Sequence, residues 1–139
     1  MGPPRIRNIC GARAVGPCAH QADRLGRHYF AVGGAPTGAR IGRPGATPST
    51  NTDNLDIANY TGLATAITSM STNLTGTPSD GDLLEFRFTD NGTARAITWG
   101  ASFSNSTVSV PTTTVASTML RVGFEYNSTA SSWVCIAVA

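Results

Sequence analysis

The stretch Asp80–Gly100, reading DGDLLEFRFTDNGTARAITWG, constrains the fold more than any other part of the chain. Leu84, Phe86 and Phe88 alternate with Leu83, Glu85 and Arg87. Period two is the signature of a half-buried strand, because successive side chains leave a pleated backbone on opposite faces. Asp90-Asn91-Gly92 follows, and Asn-Gly is a strong short-range hairpin signal because both residues tolerate positive φ. Arg95, Ile97 and Trp99 then alternate with Ala94, Ala96 and Thr98. The expectation is a β-hairpin on a β scaffold that works through its surface, since no catalytic group stands out within it.

Around this segment the chain changes character near Thr47. Residues 1–46 hold nine Gly, seven Arg and one hydroxyl residue, Thr37, whereas residues 47–139 hold 30 Ser and Thr. The first part has no sustained periodicity, and its GPP, GGAPTG and GRPG elements are breakers. One or two helical turns are expected over Gln21–Phe30, where Leu25 and Tyr29 stand at i, i+4 spacing. The division is therefore an extended Arg/Gly/Pro-rich arm at 1–46, unable to offset its own ordering entropy alone, and a β domain at 47–139. Charge follows the same division. Residues 1–50 carry seven Arg against one Asp, a balance of +6, and residues 51–139 carry three Arg against seven acids, a balance of −4. There is no Lys, and Arg is the cation that binds carboxylates bidentately. A GC-rich genome would also favour Arg codons.

Seven strands are expected in the β domain: Asn54–Asn59, Ile67–Leu74, Leu83–Thr89, Arg95–Trp99, Thr107–Val110, Met119–Tyr126 and Trp133–Val138. Turn signals at Thr61-Gly62, Gly76–Gly81, Asn91-Gly92 and Asn127–Ser131 separate them. Short strands at this spacing point to an all-β, jelly-roll-like sandwich of about seven to eight strands. Phe86, Phe88, Ile97, Trp99, Val122, Phe124, Trp133 and Cys135 are its expected core or trimer-contact residues.

The candidates for chemistry are weak. Cys10, Cys18, His20 and His28 have zinc-compatible side chains but no recognisable finger spacing, so no metal or other cofactor is expected, and a Cys10–Cys18 disulfide stays open. Gly33–Gly38 is glycine-rich but lacks the Lys of a phosphate-binding loop. Asp80, Asp82, Glu85 and Asp90 read as turn and surface chemistry rather than calcium ligands. Both His residues lie in the arm, so no Ser-His-Asp set is expected in the β domain and the chain is read as a non-enzyme. Asn59, Asn73, Asn91, Asn105 and Asn127 each head an N-x-S/T sequence, as chance supplies in so Ser/Thr-rich a chain. No apolar run long enough for a membrane helix exists, and no secretory signal is read at the N-terminus.

Asn51-Thr52-Asp53-Asn54, Thr77-Pro78-Ser79-Asp80-Gly81, Asp90–Gly100 and Trp133–Ala137 (WVCIA), in this order and spacing, resemble a β-domain recurrent in tailed-bacteriophage virion proteins. The resemblance covers residues 47–139. It implies a small jelly-roll-like sandwich, often trimeric, on capsid decoration proteins, head fibres or tail appendages, and it transfers no catalytic residue. The expectation that follows is a capsid decoration (cement) protein on the outer surface of a virion. It would form a homotrimer that contacts the major capsid protein, without membrane contact and with nucleic acid disfavoured. Arg5, Arg7, Arg13, Arg24, Arg27, Arg40 and Arg43 would form the capsid-binding arm. The alternative is a head-fibre or tail appendage adhering to host-surface glycans.

Overall fold

The computed structural model describes residues 38–139, apart from the side chains of 39–41, together with the backbone pairs Gln21–Ala22 and His28–Tyr29. Contacts divide the chain into Met1–Ala35 and Pro36–Ala139. In the first unit, Gln21–Ala22 (β1) pairs antiparallel with His28–Tyr29 (β2). These four residues are extended where helical turns were expected, since one i, i+4 apolar pair does not offset the cost of a helix nucleus.

The second unit is all-β. Its strands are Gly38–Gly42 (β3), Ser49–Asn51 (β4), Ile57–Leu63 (β5), Asn73–Thr75 (β6), Leu83–Asp90 (β7), Phe103–Ser104 (β8), Leu120–Asn127 (β9) and Ser132–Val138 (β10). Six of them form one sheet in the order β3-β5-β7-β9-β10-β8, and β4 pairs with β6 in a separate parallel ribbon. The sheet is mixed: β3-β5, β5-β7 and β10-β8 are parallel, while β7-β9 and β9-β10 are antiparallel. The antiparallel succession expected of a jelly roll is confined to β7-β9-β10. The sheet begins at Gly38, ahead of the change in composition at Thr47, because β3 joins through backbone pairing with β5 and pairing is indifferent to side-chain composition.

Alternation in β7 and β9 lies where the sequence placed it. Leu84, Phe86, Phe88 and Asp90 point inward from β7, and Leu120, Val122 and Phe124 from β9. Asn91-Gly92, however, does not make a two-residue hairpin. The neighbours of β7 are β5 and β9, and the chain leaves the sheet after Asp90. Asp90 is the physical cause: its carboxylate accepts the Gly92 N–H at 2.9 Å, the Ser117 N–H at 2.9 Å and the Thr114 hydroxyl at 2.7 Å. These bonds turn the chain away and hold it beside residues 114–117.

Arg95–Trp99 therefore forms part of a second layer. Ile67 bridges Ile97 in parallel, and Ala96 bridges Thr113 antiparallel. The Ile67 N–H donates to Ala96 O, Thr98 N–H to Ile67 O, and Ile97 N–H to Thr112 O. The expected strands Ile67–Leu74 and Thr107–Val110 shorten accordingly, to β6 with its preceding bridge in the first case and to irregular backbone in the second.

Between the sheet and this layer lies an aromatic core. Trp99 meets Phe86, Phe88 and Phe124 at ring-centroid separations of 5.7, 5.9 and 5.0 Å. Phe86 also contacts Phe103 and Phe124 edge-on. Such tilted pairings place ring edges against ring faces, where the quadrupoles attract. Complete burial of an aromatic or large aliphatic side chain contributes about 1.5–3 kcal/mol. Phe86, Phe88, Val122, Phe124 and Cys135 are fully enclosed, and Ile97, Trp99 and Trp133 nearly so. All eight residues expected as core or trimer contact are thus core within the single chain.

Candidate interaction surfaces and the loops that present them

Three of the four motifs that carry the family resemblance prove to be fasteners between loops. In the NTDN segment, Asn51 Oδ1 accepts the Asp53 N–H at 3.0 Å and closes the turn after β4. Asp53 Oδ1 then accepts both the backbone N–H and the hydroxyl of Thr77, at 2.7 and 3.1 Å, joining that turn to the segment after β6. In the TPSDG segment, Asp82 Oδ2 accepts the Ser79 N–H at 2.7 Å, and Asp80 Oδ1 reaches the Ser128 N–H at 2.8 Å in the turn between β9 and β10. Asp90 performs the same service at the opposite end of β7. Hydrogen bonds to the ionised carboxylates hold the Asp80 and Asp90 acids below their usual range, led in each case by a backbone N–H, that of Ser128 and that of Ser117.

The sheet's outer face carries the charged residues. Glu85 Oε1 accepts from Arg87 Nε and Arg121 Nε, both at 2.7 Å. The Arg121 bond, then the Arg87 bond, lower the Glu85 carboxyl to about 2. Leu83 on β7 is 59% exposed and Ile136 on β10 is 46% exposed, so an ion-paired strip is flanked by apolar groups. Gly123 lies between them in the sheet, where a Cβ would make ordinary contact with the Ala137 and Ile136 side chains at 3.7 and 3.8 Å.

On the covering layer, a groove of about 530 Å³ runs along Thr98, Trp99, Gly100, Ser104, Asn105 and Thr112. It is lined by uncharged side chains. Trp99 and Phe103 belong to its lining but are 4% and 8% exposed, and the Trp99 indole N–H is already donated to Pro111 O at 2.7 Å.

Among the expected arm residues, Arg43 is exposed; its N–H donates to Thr61 O at 2.8 Å and its side chain runs over Gly62. Arg40 lies in β3 with its backbone opposite Asn59. Arg5, Arg7, Arg13, Arg24 and Arg27 lie outside the described residues, as do Cys10, Cys18, His20 and Gly33–Thr37. Among the described residues no group of three His, Cys, Asp or Glu side chains could hold a metal, and no helix is long and apolar enough to cross a membrane. Cys135 is buried in the core, and desolvation pushes its thiol up, away from the reactive thiolate.

The sequence reading missed the three-way role of Asp90. The signal was present: an Asp at the end of an apolar face, at an inward-pointing position, must find donors once buried.

Comparison with family models, with curated proteins and with solved structures finds no match.

Proposed function

We propose that this chain is a structural virion protein, a capsid decoration protein that binds the outer shell as a homotrimer and clamps neighbouring capsomers. The observation that carries the reading is the ordered set NTDN, TPSDG, DNGTARAITWG and WVCIA, which resembles the virion β-domain family. Its polar residues are spent on fastening loops, and its apolar ones on the core. A domain whose Asp53, Asp80, Asp82 and Asp90 carboxylates hold its own loops suits a mechanical duty. The jelly-roll-like reading belongs to this proposal in a loose sense: one mixed sheet faced by a layer of bridged segments. The arginine-bearing N-terminal region would bridge to carboxylates of the major capsid protein. Each exposed pair contributes only about 0–1 kcal/mol, and several anchors per trimer raise the effective affinity.

The test is capsid binding by full-length protein and by a variant lacking residues 1–35, with sedimentation giving the oligomeric state of each. A soluble trimer that has lost capsid binding supports the proposal. Undiminished binding by the shortened protein sinks it. The alternative, a glycan-adhering head-fibre or tail appendage, draws on the uncharged groove beside Trp99. Glycan-array binding, together with a few copies per particle rather than hundreds, would replace the first reading with that one.

A further inference from the structure

The Asn91-Gly92 turn has an arrangement of neighbours that bears on backbone chemistry. Both residues are exposed, and Gly92 has φ +97°. The Gly92 N–H donates to Asp90 Oδ1 at 2.9 Å. On the other side, Arg95 Nη2 donates to Asn91 Oδ1 at 3.1 Å. The Asn91 N–H is fixed in turn to Leu63 O at 3.2 Å.

We propose that Asn91 is a self-modification site, a latent deamidation centre in which Arg95 primes the side-chain amide and Asp90 restrains the Gly92 nitrogen. In the reaction the Gly92 nitrogen loses its proton to solvent base and attacks Asn91 Cγ. A C–N bond forms, the side-chain nitrogen leaves as ammonia, and a five-membered succinimide closes. Water then opens the ring at either carbonyl, leaving aspartate or isoaspartate. The only co-reactant is water, and no electron is transferred.

Each neighbour acts on one partner of that step. The Arg95 guanidinium draws electron density from the Asn91 carbonyl and would stabilise negative charge developing on Oδ1. The Asp90 carboxylate acts oppositely. It is hydrogen-bonded to the proton that must depart, and its negative charge opposes a second one on the adjacent nitrogen. Asp90 is itself held by Thr114 and Ser117, so the restraint persists while that end of the domain stays folded. Glycine at position 92 leaves the nitrogen open to attack geometry, because no side chain shields it. The product carboxylate would stand where Arg95 already donates, so a cation is in place to receive it. An isoaspartate would add a backbone carbon between Asp90 and Gly92 and pull the Gly92 N–H from its acceptor, loosening the tie to residues 114–117.

The experiment incubates the full chain in mildly alkaline buffer, native and in urea, and follows the 91–92 peptide by mass spectrometry with isoaspartate-specific methylation. The native chain should react slower than the unfolded one by roughly tenfold or more, in keeping with a hydrogen bond to a charged acceptor. Asp90→Asn, if its circular dichroism remains native, should recover much of that difference. If that variant does not fold, amide exchange at Gly92 in the wild type decides, with marked protection expected. Equal rates in the native and unfolded chains, absence of product at Asn91 in urea, or unprotected exchange at Gly92 would each overturn the proposal.

Discussion

Gly76 and Gly81 separate two reasons for glycine in this chain. Both have positive φ, +120° and +85°. A Cβ at Gly76 would strike the Thr52 hydroxyl and approach the backbone nitrogens of Thr52 and Asp53 at 3.0 and 3.1 Å, whereas a Cβ at Gly81 would meet open space. Gly81→Ala should therefore cost about 1–2 kcal/mol for the left-handed conformation alone. Gly76→Ala should cost about 3 kcal/mol or more, because it also forces the NTDN turn from β6. Urea denaturation of the two variants measures the difference. Part of this was legible beforehand. Asp80 and Asp82 read as turn chemistry and sit in the turn before β7, whereas Asp90, read the same way, is the buried last residue of that strand. Their acceptors' distant donors, Ser128 and Ser117, were not legible, because nothing local in a Ser/Thr-rich chain marks which N–H a carboxylate will meet.

At the scale of elements, β7 shows what periodicity can and cannot say. Its alternation correctly placed Leu84, Phe86 and Phe88 inside. The same alternation in Arg95–Trp99 correctly turned Ile97 and Trp99 inward, yet the segment lies across the core from β7 instead of beside it. Period two reports which side chains are buried; it does not name the neighbouring strand. The parallel pairing of β7 with β5 has no sequence mark, since 19 residues separate Leu63 from Leu83 without a regular crossover helix. On the outer face of β7, Glu85 offers a test by pH. Its carboxyl falls from an ordinary 4.5 to about 2 on folding, so its contribution is fully present above about pH 4.5 and is lost as pH falls towards 2. Asp80 and Asp90 shift in the same direction and add to the slope. Glu85→Gln should lower stability at neutral pH by up to about 1 kcal/mol, the scale of a partly exposed pair. The variant and the wild type should converge near pH 2. Thermal unfolding across pH 2–7 checks both, and parallel curves without convergence would remove Glu85 from the account.

For the whole molecule, every described buried hydrophobic residue lies between Ala58 and Cys135. Removal of residues 1–35 should then leave a single cooperative thermal transition with Tm within a few degrees of the full chain, read by calorimetry. A shift of ten degrees or more would mean that the N-terminal unit stabilises the β domain. Composition located the division at Thr47, and β3 moves it ahead of Gly38, because an arginine- and glycine-containing segment can still supply a ladder of N–H and C=O groups. The strand order has a further consequence during synthesis. β10 lies between β9 and β8, and Trp133 pairs with Phe103, whose side chain helps enclose Trp99 and Phe124. One margin of the aromatic core therefore stays open until residues 132–138, which carry Trp133 and Cys135, have cleared the ribosome. Until then β9 has an unpaired edge, and Phe103 and Phe124 lack their neighbours on β10. Such a nascent chain depends on swift completion, or on a chaperone's cover, to escape aggregation.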